Sequence, residues 1–216
     1  HQKMKEIVDS GMLGNIVSCR GQFTCWYPDI PDAWRQQMST SGGGALMDMG
    51  VHSIDLIQYI TGGKAKKIAA MTGTKTFKYE VEDSAALIFE MDNGAFAYVD
   101  ANFNIPDAAA KCRLEIYGTK GSMLAEGTLG QVEGGKLDVV LSDDKLAYNA
   151  IQDRVDVSPV NVEVEFGNMY TKEIESFGNS ILKGNKIDVT IDDALYVQKI
   201  VYAAYNSSKN NEFVFL

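Results

Sequence analysis

Histidine and cysteine are scarce in this chain. His1 and His52 are its two histidines, and Cys19, Cys25 and Cys112 its three cysteines, in 216 residues. An odd, sparse set of thiols builds no disulfide framework and is expected to stay reduced, in a cytoplasmic protein. Cys19 and Cys25 read as small buried hydrophobes of one strand rather than as metal or redox ligands. Basic charge is also in short supply, with Lys+Arg 20 against Asp+Glu 29 and a net charge of -9. That balance excludes nucleic acid and anionic membrane as partners, since both demand a basic face. No apolar run approaches the ~18 residues of a membrane-spanning helix. No secretory signal pattern, internal repeat or low-complexity segment is present. The dinucleotide fingerprint G-x-G-x-x-G is missing too: after Gly42 and Gly44, position 47 is Met. The sequence opens inside a helical pattern with no initiating methionine, so it is expected to be a fragment of a longer parent chain, residues 1–216 forming one domain.

What is present is concentrated in SGGGALMDMGVHSIDLIQYITGG, residues 41–63. Leu46, Met49, Ser53, Leu56, Ile57 and Ile60 recur at helical spacing and form a mostly apolar stripe. Asp48, His52, Asp55 and Tyr59, at i, i+4, i+7 and i+11, line a second, polar stripe. Thr40 or Ser41 is the expected N-cap and Gly62 the expected stop. The three glycines suit either close packing of a loop or approach to an anion at a helix N-terminus.

Around this helix the chain reads as one unit of mixed helices and strands. An opening helix uses Met4, Ile7, Val8 and Met12 as its apolar positions. A long strand follows over 16–27, then Pro28 and Pro31, then a short helix over 32–38. Trp34 and Arg35 either line a cleft or are a packed indole beside a solvated guanidinium. Strands are expected at 68–77, 84–91, 95–103, 112–117, 122–126 and 137–141, with Asp92-Asn93-Gly94 as the clearest hairpin turn. Short turns between successive strands predict a largely antiparallel sheet. Residues 142–164 are polar and irregular, with one short strand at most. Two helices close the chain. The first, over 167–182, is expected to bury Met169, Ile174, Phe177, Ile181 and Leu182. The second, over 192–209, is expected to bury Leu195, Ile200, Val201, Ala204 and Tyr205, with Thr190 or Asp192 as cap. Residues 212–216 form an edge strand.

A histidine titrates near neutrality, and a nearby carboxylate orients it and raises its basicity. Asp48 and His52 can cooperate in this way on one substrate hydroxyl, or they can be a satisfied pair at a packed helix face. A metal site needs a third ligand, for which Asp55 is the only neighbour, so no metal is expected. A serine nucleophile has no elbow motif to support it.

GGGALMDMGVHSIDLIQYITG resembles the GGG-x-x-x-D-x-G-x-H-x-x-D signature of the glucose–fructose oxidoreductase/inositol dehydrogenase (Gfo/Idh/MocA) family. SGMLGNIVSCRGQF, AWR, VEDSAALIFEMDNGAFAYVDANF, LEIYGTKGSM and the two closing helices are similar to other parts of its C-terminal half. The resemblance implies an α+β fold: a large, mainly antiparallel, open-faced sheet with helices packed on one face. It implies an NAD(P)-dependent oxidoreductase acting on a hydroxyl of a sugar, inositol or related polyol. NAD or NADP would be held mainly by an N-terminal Rossmann domain absent from this chain, which also supplies a catalytic lysine. His52 would then assist proton transfer and Asp48 would position the substrate hydroxyls. Trp34 and Arg35 would lie near the mouth of the cofactor cleft, and Asp55 would have a structural hydrogen-bonding role. The open sheet face would join copies into a homo-oligomer. The rival expectation is a non-catalytic ligand-binding or assembly module that keeps this fold.

Overall fold

The computed structural model describes residues 1–142, 150 and 159–216. Its frame is a nine-stranded sheet in the order β8-β7-β6-β5-β1-β4-β3-β2-β9. The strands are β1 (Ile16–Thr24), β2 (Ala65–Gly73), β3 (Ser84–Met91), β4 (Phe96–Asn102), β5 (Arg113–Gly118), β6 (Gly121–Glu126), β7 (Lys136–Leu141), β8 (Val160–Asn161) and β9 (Val214–Phe215). Every neighbouring pair is antiparallel except β1 and β4, which run parallel. The short turns joining β3 to β4 and β5 to β6 are the expected hairpins, and Gly94 takes the positive φ (86°) that the first of them needs. The parallel pair arises because β1 is followed by the helical crossover and three further strands before β5 returns to its other side.

The helices are α1 (Gln2–Asp9), α2 (Met38–Ser41), α3 (Val51–Thr61), α4 (Met169–Lys183) and α5 (Ile191–Asn210). A wide π turn, Leu46–Gly50, leads directly into α3. Helix α3 packs on β1, α5 on β2, and α1 against α3, all over one face of the sheet. Alternation then sorts the strands. Cys19, Leu87, Phe89, Ala97, Val99, Leu114, Ile116 and Met123 point into a continuous core with Ile54, Ile57, Ile60, Ile200 and Val201 from the helices. Arg20, Ile88, Phe96, Tyr98 and Tyr117 point the other way, onto a face that no helix among the described residues covers.

Several expectations change. Helix α1 ends at Asp9, so Met12 is exposed and Leu13 is the buried residue. Strand β2 begins at Ala65 and ends at Gly73, because residues 75–77 donate their N–H groups to Asp83 rather than to a strand. The side chains of α4 expected inside are outside: Ile174, Phe177, Ile181 and Leu182 are all exposed, and none of the helix's residues is buried. Leu195 of α5 is likewise exposed, while Ile200, Val201 and Ala204 are buried as expected. The cap of α5 is Thr190, in a reciprocal capping box with Asp193. The irregular stretch expected over 142–164 lies mostly outside the described residues, and its described end contributes β8.

Candidate functional site

The central helix begins without the local cap expected of it. Thr40 and Ser41 belong to α2, which stops at Gly42 in the left-handed conformation (φ 72°). The free N–H groups at the start of the π turn are instead met from a distant part of the chain. Glu82, just ahead of β3, accepts from the Gly44 N–H on Oε2 (2.9 Å) and from the Leu46 N–H on Oε1 (3.0 Å). Its main-chain carbonyl accepts from the Ala45 N–H (2.9 Å). The Tyr205 hydroxyl of α5 donates to the same Oε1 (2.8 Å). Burial, and then the Glu82 carboxylate, raise the Tyr205 phenol and keep it a donor. Gly43 and Gly44 are glycine because a Cβ would run into the Tyr205 hydroxyl and the Glu82 carbonyl. The glycine loop is therefore wrapped around the protein's own buried carboxylate, and close packing is the role it takes.

Glu82 is followed by Asp83, which is fully buried. Its carboxylate accepts from the main-chain N–H groups of Lys75, Thr76 and Phe77 at 2.7–2.9 Å and from the Ser84 hydroxyl at 2.8 Å. Burial pushes its carboxyl up, but those donors together outweigh burial and hold it below the ordinary carboxylate range. The two adjacent acids thus tie the glycine loop and the 74–77 loop to the start of β3.

On this anchored helix the apolar stripe faces inward, with Leu46, Met49, Ser53, Ile57 and Ile60 buried and Leu56 half-buried. Gly21 lets α3 approach β1, since a Cβ there would lie 2.8 Å from the Ser53 Cβ. The polar stripe faces outward. Asp48 is half-exposed, His52 exposed, and Asp55 and Tyr59 half-buried. The His52 ring is 5.9 Å from that of Phe23 at the end of β1. No side-chain hydrogen bond joins Asp48 to His52, or His52 to any other described residue. Asp48 is turned instead toward Arg35, whose Nε–H donates to Oδ1 at 3.2 Å. Arg35 also lies over the Trp34 ring, 4.4 Å from its centroid, and both are exposed. Sequence-predicted Arg35 and Asp48 are therefore in contact, Trp34 flanks them, and His52 stands one helical turn along the same outward side.

The Asp55 carboxylate does not take the hydrogen-bonding role expected of it, having no hydrogen bond to a described residue. Burial, and then the Asp193 carboxylate, push its carboxyl up, against smaller opposing effects of His52 and Lys64. Burial likewise pushes the Cys19 thiol up to about 12, and all three cysteines are free thiols. Among the described residues no cluster of three His, Cys, Asp or Glu could hold a metal ion, and no helix is long and apolar enough to cross a membrane. Two concavities, one lined by β7 and residues 161–166 and one on the open sheet face, include none of the four predicted site residues. The site is an open surface, chemically equipped but uncovered. Sequence reasoning missed Glu82, Tyr205 and Phe23. The pair of acids in VEDS, immediately before an apolar strand, is the signal that two of the buried polar contacts were there to be found.

The family model described as the GFO/IDH/MocA C-terminal domain matches residues 1–124. The levoglucosan dehydrogenase of Pseudarthrobacter phenanthrenivorans is 29% identical over 145 residues, covering 56% of this chain and 37% of that protein. Among solved structures, the aldose-aldose oxidoreductase from Caulobacter crescentus complexed with glycerol superposes with a TM-score of 0.84 at 22% identity. That match covers 100% of this chain and 60% of the other. Levoglucosan dehydrogenase in complex with NADH and levoglucosan superposes with a TM-score of 0.82 at 24% identity, covering 99% of this chain and 62% of the other. The chain thus spans less than two thirds of the length of each of these proteins.

Proposed function

The chain belongs to the GFO/IDH/MocA family, in the part that the family uses as its C-terminal domain, and from that premise we propose its activity. Residues 1–216 are the substrate-binding and oligomerisation domain of an NAD(P)-dependent oxidoreductase that acts on a hydroxyl of a sugar, inositol or related polyol. The observation that carries this reading is the outward stripe of Asp48 and His52 on a helix otherwise buried in the core. A carboxylate and an imidazole displayed one turn apart, on so rigid a seat, are placed to receive a hydroxyl-bearing molecule.

The glycine loop cannot take the cofactor's phosphates, because Glu82 already accepts from the Gly44 and Leu46 N–H groups. Trp34 and Arg35, at the open rim beside Asp48, fit only the edge of a dinucleotide. The main cofactor site therefore belongs to the part of the protein that relatives carry beyond this chain. A nicotinamide cofactor held there would supply the hydride-accepting chemistry. The chain's own residues do the rest. Asp48, held outward by Arg35, accepts hydrogen bonds from substrate hydroxyls. His52, whose ring has no hydrogen bond to a described residue, takes the proton of the reacting hydroxyl as hydride leaves its carbon. Phe23 braces the imidazole from the strand side.

In the full-length protein, His52→Ala is expected to lower turnover at least ~100-fold with the best of a panel of sugars and polyols. Near-wild-type turnover in that variant would overturn the assignment. Residues 1–216 alone are expected to form no NADH with any of these substrates. Absence of turnover by the unaltered full-length protein across the panel would favour the non-catalytic binding module.

A further inference from the structure

The end of β1 carries an aromatic strip that the functional reading above leaves unused. Trp26, the residue after Cys25, is 44% exposed. Its ring meets that of Phe77 edge-on at 5.2 Å, and Phe77 in turn stacks on Tyr79 at 5.5 Å. A single exposed aromatic ring needs no explanation. This one is held from several sides. Its main-chain N–H donates to Asp107 Oδ1 at 2.9 Å, and an isolated bridge pairs it with Asn104. The Phe77 N–H donates to buried Asp83 at 2.9 Å, and the Asn104 amide donates to Thr76, Asp83 and Ser84 at 2.9–3.2 Å. The Tyr79 hydroxyl donates to the Tyr27 carbonyl at 3.2 Å. The rings are therefore fixed before anything binds, which spares a ligand the ordering cost of a flexible surface.

Exposed carboxylates accompany the strip. Asp107 stands beside Trp26, and its second oxygen has no partner among the described residues. Asp29 accepts from the Lys78 N–H at 3.2 Å, and it lies close enough to help raise the Tyr79 phenol, after burial and Asp83. A fixed aromatic face with hydroxyl acceptors at its rim suits a sugar ring, whose C–H face packs on the aromatic while its edge hydroxyls donate outward. A nucleobase would also stack there. However, exposed Lys75 and Lys78 are offset by Asp29, Glu80 and Asp107, so the strip has no cationic surplus for a nucleotide's phosphates. The strip also borders the proposed site. Cys25, Tyr27 and Tyr79 pack on the small core of Ala45, Met49, Ala101 and Phe103. Cys25 Sγ lies 3.5 Å from the Sδ of Met49, which adjoins Asp48 in the π turn. Burial, then Asp107, then Asp48 push the Cys25 thiol up to about 11, so both carboxylates lie within reach of this one side chain.

We infer that Trp26, Phe77 and Asp107 form a second sugar subsite, which stacks the ring next to the one whose hydroxyl reacts at Asp48 and His52. The substrate class is then a glycoside of at least two linked sugar rings. The inference rests on the functional reading above for the site that it adjoins.

The test is calorimetric binding to the full-length protein, with maltose, cellobiose and lactose set beside glucose and galactose. At least one disaccharide should bind more tightly than its component sugars. Trp26→Ala should weaken that disaccharide at least ~5-fold and leave the monosaccharides unchanged. Asp107→Asn, which keeps an acceptor for the Trp26 N–H, should weaken the disaccharide by a smaller factor. No advantage for any disaccharide, or a Trp26→Ala effect that is absent or equal for both sizes of sugar, would overturn the subsite. If Trp26→Ala fails to fold, hydroxyl-radical footprinting of the unaltered protein still decides. The disaccharide should lower oxidation of Trp26 and glucose should not; oxidation unchanged by both overturns the inference. Trp26 protected by ATP and not by the disaccharide would assign the strip to a nucleotide. Trp26 already protected without ligand would assign it to a covering protein surface; both outcomes also overturn the inference. Turnover is not part of this readout. Trp26-dependent disaccharide binding in an inactive protein would keep the subsite and sink the enzymatic reading. Sugar turnover with disaccharide binding indifferent to Trp26 would do the reverse.

Discussion

Glu82 accepts two main-chain N–H groups and one hydroxyl in a buried setting, so its removal leaves three donors without partners. Each buried unsatisfied group costs about 1–3 kcal/mol, so Glu82→Ala should lower the unfolding free energy by at least ~3 kcal/mol. Tyr205→Phe deletes one donor and should cost only about 1 kcal/mol. Denaturant unfolding of the full-length variants checks both, and equal losses would refute the clamp. Asp83 makes a different prediction, in pH. Its carboxyl is held below the ordinary range, so its contribution is fully present above the ordinary Asp value of about 3.9 and is lost as pH falls through the folded value. Asp83→Asn should therefore destabilise the protein at neutral pH by about 2 kcal/mol, and the gap should narrow as pH falls below the ordinary Asp value. Midpoints measured across that range test the sign. Asp48 and His52 could be found from spacing because helical periodicity alone puts them on one side. Glu82 could not be assigned its role from periodicity, because its partners lie 36 and 38 residues earlier and 123 later.

Helix α3 stands where it does because β1 offers it Gly21. Gly21→Val should overpack the contact with Ser53, cost about 1–3 kcal/mol and displace the helix that carries Asp48 and His52. Turnover falling together with the unfolding midpoint in the full-length variant is the expected result; unchanged values for both would show that the contact yields freely. The elements that were readable from sequence are those whose pattern and surroundings agree: β3, β4, β5 and β6 lie close to their expected bounds because alternation and turn glycines point the same way. Those that shifted did so where a tertiary contact won. Strand β2 stops at Gly73 because Asp83 captures the next N–H groups. The pattern of α4 was read correctly as amphipathic, but periodicity says only that a helix has an apolar side, not that this domain supplies its seat. Likewise α5 buries Ile200, Val201 and Ala204 where it crosses β2, yet leaves Leu195 outside, nearer its start.

Among the described residues the sheet has a helix-covered side and a bare one, and the bare one has the make-up of a self-complementary interface. At its centre Arg20 lies 5.9 Å from the Tyr98 ring centroid, 5.5 Å from that of Tyr117 and 3.7 Å from Glu115. The Tyr117 hydroxyl donates to Glu115 at 2.6 Å, and Gln22 donates to Asp100 at 3.0 Å. The polar groups there satisfy one another, so covering them leaves few donors stranded. Ile88, Phe96 and Met71 extend the face outward with exposed apolar surface. Tyrosine and arginine at the core of a patch, with apolar side chains around them, are what interfaces select, and a two-fold axis through such a face pairs like with like. The alternative is a solvated antiparallel face, which sheets tolerate, but such faces alternate cleanly to polar residues. We therefore propose that the full-length protein is a homo-oligomer joined through this face. Ile88→Asp combined with Tyr98→Asp would set like charges against each other across the axis and should halve the mass measured by light scattering, or reduce it further, without changing the unfolding transition of the monomer. A wild-type protein that is already monomeric at assay concentration, or a double variant of unchanged mass, would return this face to solvent and leave the site on α3 to be completed within one chain.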